Sequence, residues 1–171
     1  PSANAASNSP KQIPGSSWDN ADDKFSLSDG GGACIRTDGT LWTWGTNESG
    51  SLGINNETSY SSPKQVPGTS WSTVSASYSH MAAIKTDGTL WVWGRGSYGQ
   101  LGQGNNNSRS SPVQIPGTTW GRLHFARYHA GATKTDGTLW TWGSQYGGRL
   151  GYAPSANAAS NSPKQIPGSS W

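Results

Sequence analysis

One nine-residue motif occurs three times in this chain, and its spacing limits the possible folds more than any other feature. TDGTLWTWG occupies residues 37–45, TDGTLWVWG residues 86–94 and TDGTLWTWG residues 135–143, so each copy begins 49 residues after the previous one. Each copy is followed by Gly-x-Leu-Gly and then by Pro-x-Gln-(Ile/Val)-Pro-Gly-x-x-Trp. A period of about 50 residues is typical of arrays of one supersecondary unit, because a single unit cannot bury its apolar surface alone.

The motif predicts a β-hairpin. An Asp-Gly pair between two short alternating runs is a strong hairpin signal, and we expect a type I′ turn in which Thr86 faces Thr89. Side chains alternate along a strand, so Trp91 and Trp93 should point to one face and Leu90 and Val92 to the other. The residues with predicted structural roles are the motif positions Asp38, Gly39, Trp42, Trp44, Asp87, Gly88, Trp91, Trp93, Asp136, Gly137, Trp140 and Trp142.

Both faces of each predicted sheet are apolar, so both must be covered. A four-stranded antiparallel sheet with two apolar faces and a period of this length is typical of a β-propeller blade, which packs on two neighbours. Repeat ends place blades at 19–71, 72–120 and 121–171. Residues 1–18 are identical to residues 154–171, and we interpret them as the end of a preceding blade.

Composition supports an all-β fold. Leu, Ile, Val and Phe are scarce, but the 10 Trp residues supply apolar area of about 150–250 Å² each. No window of a dozen residues lacks glycine, proline or a β-branched cluster and also shows a helical period, and the longest apolar run, Met81–Ile84, is too short to span a membrane. The 12 basic and 9 acidic residues are scattered, which predicts no nucleic-acid partner, and the single cysteine excludes an internal disulfide.

Few residues form candidate sites. Asp19, Asp22 and Asp23 are candidate calcium ligands, because carboxylate oxygens suit that cation. His80 and His129 share one repeat position, and we expect them to be hydrogen-bonded on an inner strand. No nucleophile, base and orienting group recur together, so we predict no catalytic residue, no enzyme activity and no cofactor.

A second candidate site is an interaction surface in the third repeat. Arg122, Phe125, Arg127 and Tyr128 interleave charged and aromatic side chains, and arginine and tyrosine are favoured at binding hot spots. The other loops are rich in Asn, Ser and Gly, a composition suited to recognition of a protein or a glycan.

The segment HMAAIKTDGTLWVWGRGSYGQLGQG, residues 80–104, resembles the repeat of the regulator of chromosome condensation (RCC1) family in its bacterial and viral form. This resemblance implies a β-propeller with four-stranded blades, commonly seven, and no shared catalytic residue. Family members are chiefly binding scaffolds; a eukaryotic branch exchanges nucleotide on a small GTPase and docks on nucleosomes, and a secreted bacterial branch inhibits β-lactamase. We do not extend the exchange activity to this chain, because its near-identical repeats lack long divergent insertions.

Three repeats do not close such a ring. The chain is a window of a longer tandem array, a subunit that closes a ring with its copies, or an engineered fragment with duplicated ends. We favour the array, because seven is not a multiple of three.

These observations predict a non-catalytic structural repeat module, a segment or subunit of an extracellular or viral fibre whose partners are further repeats or further copies. The alternative is a discrete closed propeller that binds a protein or glycan through its loops.

Overall fold

The computed structural model describes residues 9–152 and 159–168 and is built of strands, turns and loops. The strands within these ranges are β1 Phe25–Ser28, β2 Gly31–Ile35, β3 Leu41–Gly45, β4 Tyr60–Gln65, β5 Trp71–Ala76, β6 His80–Lys85, β7 Leu90–Gly94, β8 Arg109–Ile115, β9 Trp120–Phe125, β10 His129–Lys134, β11 Leu139–Gly143 and β12 Ser160–Gln165. Short 3-10 turns cover Asp22–Lys24, Glu48–Gly50 and Tyr146–Gly148. None of the helical segments described is long and apolar enough to cross a membrane.

The strands form three four-stranded antiparallel sheets, each in chain order. We call β1–β4 blade 1, β5–β8 blade 2 and β9–β12 blade 3. The first strand of blade 2, β5, contacts both β1 and β9, and the proline-containing fourth strands form the outer edges. This confirms the all-β fold with one four-stranded blade per repeat, and the three sheets leave the ring open.

The boundaries 19–71, 72–120 and 121–171 stay predictions. Trp71 and Trp120, which end the repeat motif, are the first residues of β5 and β9. The identical segments 1–18 and 154–171 lie partly outside the described residues.

The predicted type I′ turn is wrong. In blade 2 the Gly88 N–H donates to the Lys85 carbonyl at 2.9 Å, and the Lys85 N–H donates to the Thr89 carbonyl at 3.0 Å. Gly88 has φ +76°, and Asp87 is not among the residues with positive φ. The hairpin therefore has a three-residue loop, a type I turn followed by a left-handed glycine, and Lys85 rather than Thr86 faces Thr89.

Side-chain hydrogen bonds explain why this loop is preferred. Asp87 Oδ1 accepts from the Thr89 N–H at 3.0 Å and from Thr89 Oγ1 at 2.6 Å, and these bonds hold the pKa of Asp87 below its usual value. Trp91 Nε1 then donates to Thr89 Oγ1 at 2.9 Å. The same three hydrogen bonds recur around Asp38 in blade 1 and Asp136 in blade 3. The repeated residues of the motif therefore form the same hydrogen-bonded turn in every blade.

The two faces of each blade pack on different neighbours, as the alternation predicts. We call the side with the motif tryptophans the Trp face and the opposite side the Leu face. The Trp face of blade 2, with Trp91 and Trp93, packs on blade 1. Its Leu face, with Leu90 and Val92, packs on blade 3. Two junctions of this kind form the core.

Candidate functional site

The blade junctions repeat one set of contacts. Trp93 is fully buried between blades 1 and 2, where its Nε1 donates to the Ser51 carbonyl at 3.0 Å. Trp142 is equally buried between blades 2 and 3 and donates to the Gln100 carbonyl at 2.9 Å. Both carbonyls belong to the Gly-x-Leu-Gly motif of the preceding blade. This motif therefore joins neighbouring blades.

The first glycine of that motif allows a close approach. A side chain on Gly50 would collide with the backbone of Ser110 in the next blade, and one on Gly99 would collide with Asn161. Gly148 of blade 3 has a similar φ of +75°, yet nothing lies within 4 Å of the corresponding position. Gly148 thus has the geometry of a junction glycine on an uncovered face.

The Trp face of blade 1 is open in the described structure. Phe25 is 46% exposed and Leu27 62% exposed, whereas the equivalent Val74 and Ala76 of blade 2 are buried. Trp44, the counterpart of Trp93, is only partly buried and stacks on Phe25 with ring centroids 6.5 Å apart. A cavity of about 540 Å³ lies on this face and is lined by Trp18, Phe25, Cys34 and Trp44 among others.

The Leu face of blade 3 is open at the other end. Leu139 is partly exposed, whereas its counterparts Leu41 and Leu90 are fully buried. Leu150 and Ile166 belong to the same face, at the positions of Leu52 and Val66 in blade 1, but both are buried, so the exposed part of the face is centred on Leu139. The described chain therefore ends in two different apolar faces.

The candidate calcium ligands do not converge. Asp19 Oδ1 accepts from the Ala21 N–H at 3.1 Å, and Asp23 pairs with Lys24 at 3.5 Å. Across residues 9–152 and 159–168, no three His, Cys, Asp or Glu side chains are arranged to hold a metal ion. The predicted site at Asp19, Asp22 and Asp23 is thus corrected: these carboxylates do not form a metal-holding group, and those of Asp19 and Asp23 have separate partners.

The four candidate interaction residues separate into three environments. Phe125 is 5% exposed and packs in the junction of blades 2 and 3, which corrects its assignment to a surface. Arg122 lines an open cavity of about 700 Å³ along the first strands, together with Asp22 and Asp23. Arg127 and Tyr128 follow β9 and remain together at another surface.

At that surface, Arg127 and Tyr128 join three residues that the sequence did not single out. Arg127 lies over the rings of Tyr78 and Tyr128, at 5.1 and 5.3 Å from their centroids. The Tyr128 ring meets that of Tyr98 at 4.9 Å, and Arg95 lies over Tyr98 at 5.5 Å. We call Tyr78, Arg95, Tyr98, Arg127 and Tyr128 the Tyr–Arg cluster.

The two candidate histidines also differ from expectation. His80 is fully buried against the Phe125 ring, and neither ring nitrogen has a hydrogen-bond partner among the described residues. Burial, with a smaller contribution from His129, lowers the pKa of His80 to about 3. Burial also lowers the pKa of His129, assisted by Arg149 and His124. His80 is thus a neutral core residue.

A pocket recurs at both junctions. The first has a volume of about 440 Å³ and is lined by residues that include Asn55, Trp71, Lys85, Trp91 and Ser111. Its counterpart, about 400 Å³, includes Gln103, Trp120, Lys134, Trp140 and Ser162. In each pocket a lysine ammonium lies 4.6–4.9 Å from the centroids of two indole rings. We call these the junction pockets.

Blades of four antiparallel strands, joined by repeated Trp-to-Leu junctions, define a repeat protein of the β-propeller type. The sequence model named "Regulator of chromosome condensation (RCC1) repeat" matches residues 38–84 and 87–133, more than half of the chain, and a second model of this repeat matches 71–100. The chain belongs to this family. The predicted resemblance is confirmed, while its bacterial or viral origin stays a prediction.

Solved structures of relatives share the fold. Prp20p of Saccharomyces cerevisiae superposes with a TM-score of 0.74 at 17% identity, covering 84% of this chain and 38% of its own. Human WBSCR16 superposes with a TM-score of 0.73 at 21% identity, and the match covers 84% of this chain and 37% of WBSCR16. The chain therefore spans less than two fifths of the length of these relatives. No curated protein sequence matches it.

Proposed function

We propose that this chain is a non-catalytic protein-interaction module whose two open faces pack against further blades of its own kind. The observation that carries this proposal is the contrast between Trp44 and its counterparts. Trp93 and Trp142 are completely buried by the preceding blade, whereas Trp44 occupies the same motif position on an open face. Covering Trp44 by a blade would bury apolar area, the dominant favourable term in association.

The open Leu face of blade 3 has the chemistry to provide that cover. In the existing junction, Leu41, Leu52 and Val66 of blade 1 pack on the Trp face of blade 2. Their counterparts in blade 3 are Leu139, Leu150 and Ile166, and the Arg149 carbonyl stands where the Ser51 carbonyl accepts from Trp93. A blade equivalent to blade 3 would therefore offer Trp44 Nε1 an acceptor and Phe25 an apolar surface.

Related proteins support a role in protein binding. The structural study of Prp20p describes its binding to Gsp1p and histones, and another structure of Prp20 holds it bound to Kap60. These partners are not assigned to this chain. The finer form of our proposal is a fibre segment or subunit, outside the cell or on a virion, in which blades continue through self-association or further repeats.

We expect the purified chain to assemble. Sedimentation should give multiples of the 18.0 kDa chain, and electron microscopy of the same sample should distinguish filaments from closed rings. Leu27→Glu on the open Trp face and Leu139→Arg on the open Leu face should each dissociate the assemblies, because they bury a charge in the new junction. Tyr78→Ser, at a side chain that is 41% exposed and lies on neither open face, is the control that should leave them intact.

A wild-type chain that sediments as a monomer at every accessible concentration would contradict the proposal of self-assembly. Assemblies that survive both charged variants would place the contact elsewhere. Discrete particles of six, seven or nine blades would exclude the fibre and support the closed propeller.

The junction pockets favour a second candidate function, the binding of a glycan. Each pocket combines indole rings with a few convergent polar groups, the composition of ligand sites in general. Its lysine would favour an acidic sugar. Titration with glucuronate should change tryptophan fluorescence with two sites per chain, and Lys85→Met should remove one of them. Equal responses to glucuronate and neutral glucose would contradict the role of lysine.

A further inference from the structure

The Tyr–Arg cluster is exposed at the loops of blades 2 and 3. Tyr78 and Tyr98 are each 41% exposed, and Arg95 and Arg127 are exposed as well. Tyr78 and Arg127 lie in the loops between the first and second strands of their blades, and Arg95 and Tyr98 follow the third strand of blade 2. The cluster thus joins two blades within one chain, without contribution from either open face.

The repeats themselves indicate that the fold does not require these residues. Motif positions such as the Asp, Gly and Trp of the hairpin are the same in all three blades because they make the turn and the junctions. The cluster residues occupy four positions of the repeat, and each position differs between the blades. Given in the order blade 1, blade 2, blade 3, the first position holds Asp29, Tyr78 and Arg127, and the second holds Gly30, Ser79 and Tyr128. The third holds Thr46, Arg95 and Ser144, and the fourth holds Ser49, Tyr98 and Gly147. Blade 1 therefore forms the same loops with none of these side chains.

The two arginines of the cluster are held in place but keep hydrogen-bonding capacity. Each lies over one or two tyrosine rings, which restricts its rotamers before any partner arrives. Arg95 Nε donates to Ser97 Oγ at 2.8 Å. Neither guanidinium forms an ion pair with a carboxylate anywhere in residues 9–152 and 159–168. Their remaining N–H groups are donors for an external anion.

From this arrangement we infer that the Tyr–Arg cluster is a docking site for an acidic segment of a partner protein. Guanidinium groups bind carboxylates through two parallel hydrogen bonds, and a preorganised arginine loses little entropy when it does so. Tyrosine and arginine are also the residue types that dominate protein-binding energy. This inference goes beyond the proposed packing of blades, because it concerns loops that the junctions leave free.

Nucleic acid fits this surface less well. Base stacking needs free aromatic faces, whereas the rings here are covered by guanidinium groups or meet each other edge to face. Binding to a phosphate backbone also uses many cations, and the cluster contributes only two arginines.

The test measures fluorescence anisotropy with a labelled decapeptide of alternating Glu and Ala, in comparison with its Gln-for-Glu counterpart. The Glu peptide should bind more tightly, and the double variant Arg95→Gln with Arg127→Gln should weaken binding about tenfold or more. The double variant Lys64→Gln with Arg122→Gln is the matched control: it removes the same charge at two exposed side chains outside the cluster and should change affinity by less than about twofold. Thermal unfolding should confirm that both double variants are folded.

Three results would overturn the inference. The first is that the Gln peptide binds as tightly as the Glu peptide. The second is that both double variants weaken binding equally, which would indicate an effect of net charge alone. A labelled ten-nucleotide single strand that binds more tightly than the Glu peptide would assign the surface to nucleic acid. Because the cluster lies within one chain, these measurements are independent of whether the blades assemble.

Discussion

Replacing Trp93 by alanine should lower the free energy of unfolding by about 3–5 kcal/mol, the range for large aromatic residues in cores. The same change at Trp44 should cost less than about 2 kcal/mol in the unassembled chain, because its side chain is already partly in water. Both residues occupy the last tryptophan of the motif on the third strand of a blade. The difference between the two losses of unfolding free energy therefore measures how much packing on the neighbouring blade contributes to stability.

Urea unfolding, followed by circular dichroism at protein concentrations below assembly, measures both variants. Trp142→Ala should behave like Trp93→Ala, since Trp142 is equally buried and makes the same hydrogen bond to the preceding blade. Equal losses for Trp44→Ala and Trp93→Ala would mean that these tryptophans stabilise their own sheets rather than the junctions.

The second large effect is a loss of stability in mild acid. The pKa of His80 is about 3 in the folded chain and about 6.5 when unfolded, so the unfolded state binds the proton more readily between these values. Stability is therefore complete above pH 6.5 and falls as the pH drops toward 3. Between pH 7 and pH 4.5 the loss from His80 should be about 2–3 kcal/mol. The lowered pKa of His129 acts in the same direction.

His80→Leu provides the decisive comparison, because it fills a similar volume and removes a polar group that has no partner among the described residues. This variant should show a much flatter dependence of unfolding free energy on pH. His124→Leu, at an exposed side chain, is the control that should keep the wild-type slope. A wild-type slope in His80→Leu would assign the acid sensitivity to other groups.

The alternation of side chains made the two blade faces predictable. Trp91 and Trp93 share a face because a strand has a period of two, whatever its neighbours are. Strand parity also explains the error at Phe125: it lies on the same side of β9 as Leu123, toward the junction, while Arg122 points away. The alternating aromatic and charged residues therefore lie on the two opposite sides of one strand and do not form a single surface.

The turn and the Tyr–Arg cluster required information beyond local spacing. Asp-Gly is compatible with several hairpin loops, and the hydrogen bonds from Thr89 to Asp87 accompany the one observed. The cluster joins Tyr78 to Arg127, residues far apart in sequence that meet because two blades pack side by side. A comparison of the repeats position by position would have drawn attention to it, since these loop residues change while the motif does not.

The junctions also bear on how such a chain changes in length. The contacts of the motif tryptophans and leucines at both junctions are made by residues that recur with the period of the motif, and these junctions join neighbouring blades. Unequal recombination between two copies of the motif would therefore add or remove a whole blade and still leave each tryptophan facing a leucine. Copy number can drift in units of one repeat, while the loops diverge independently.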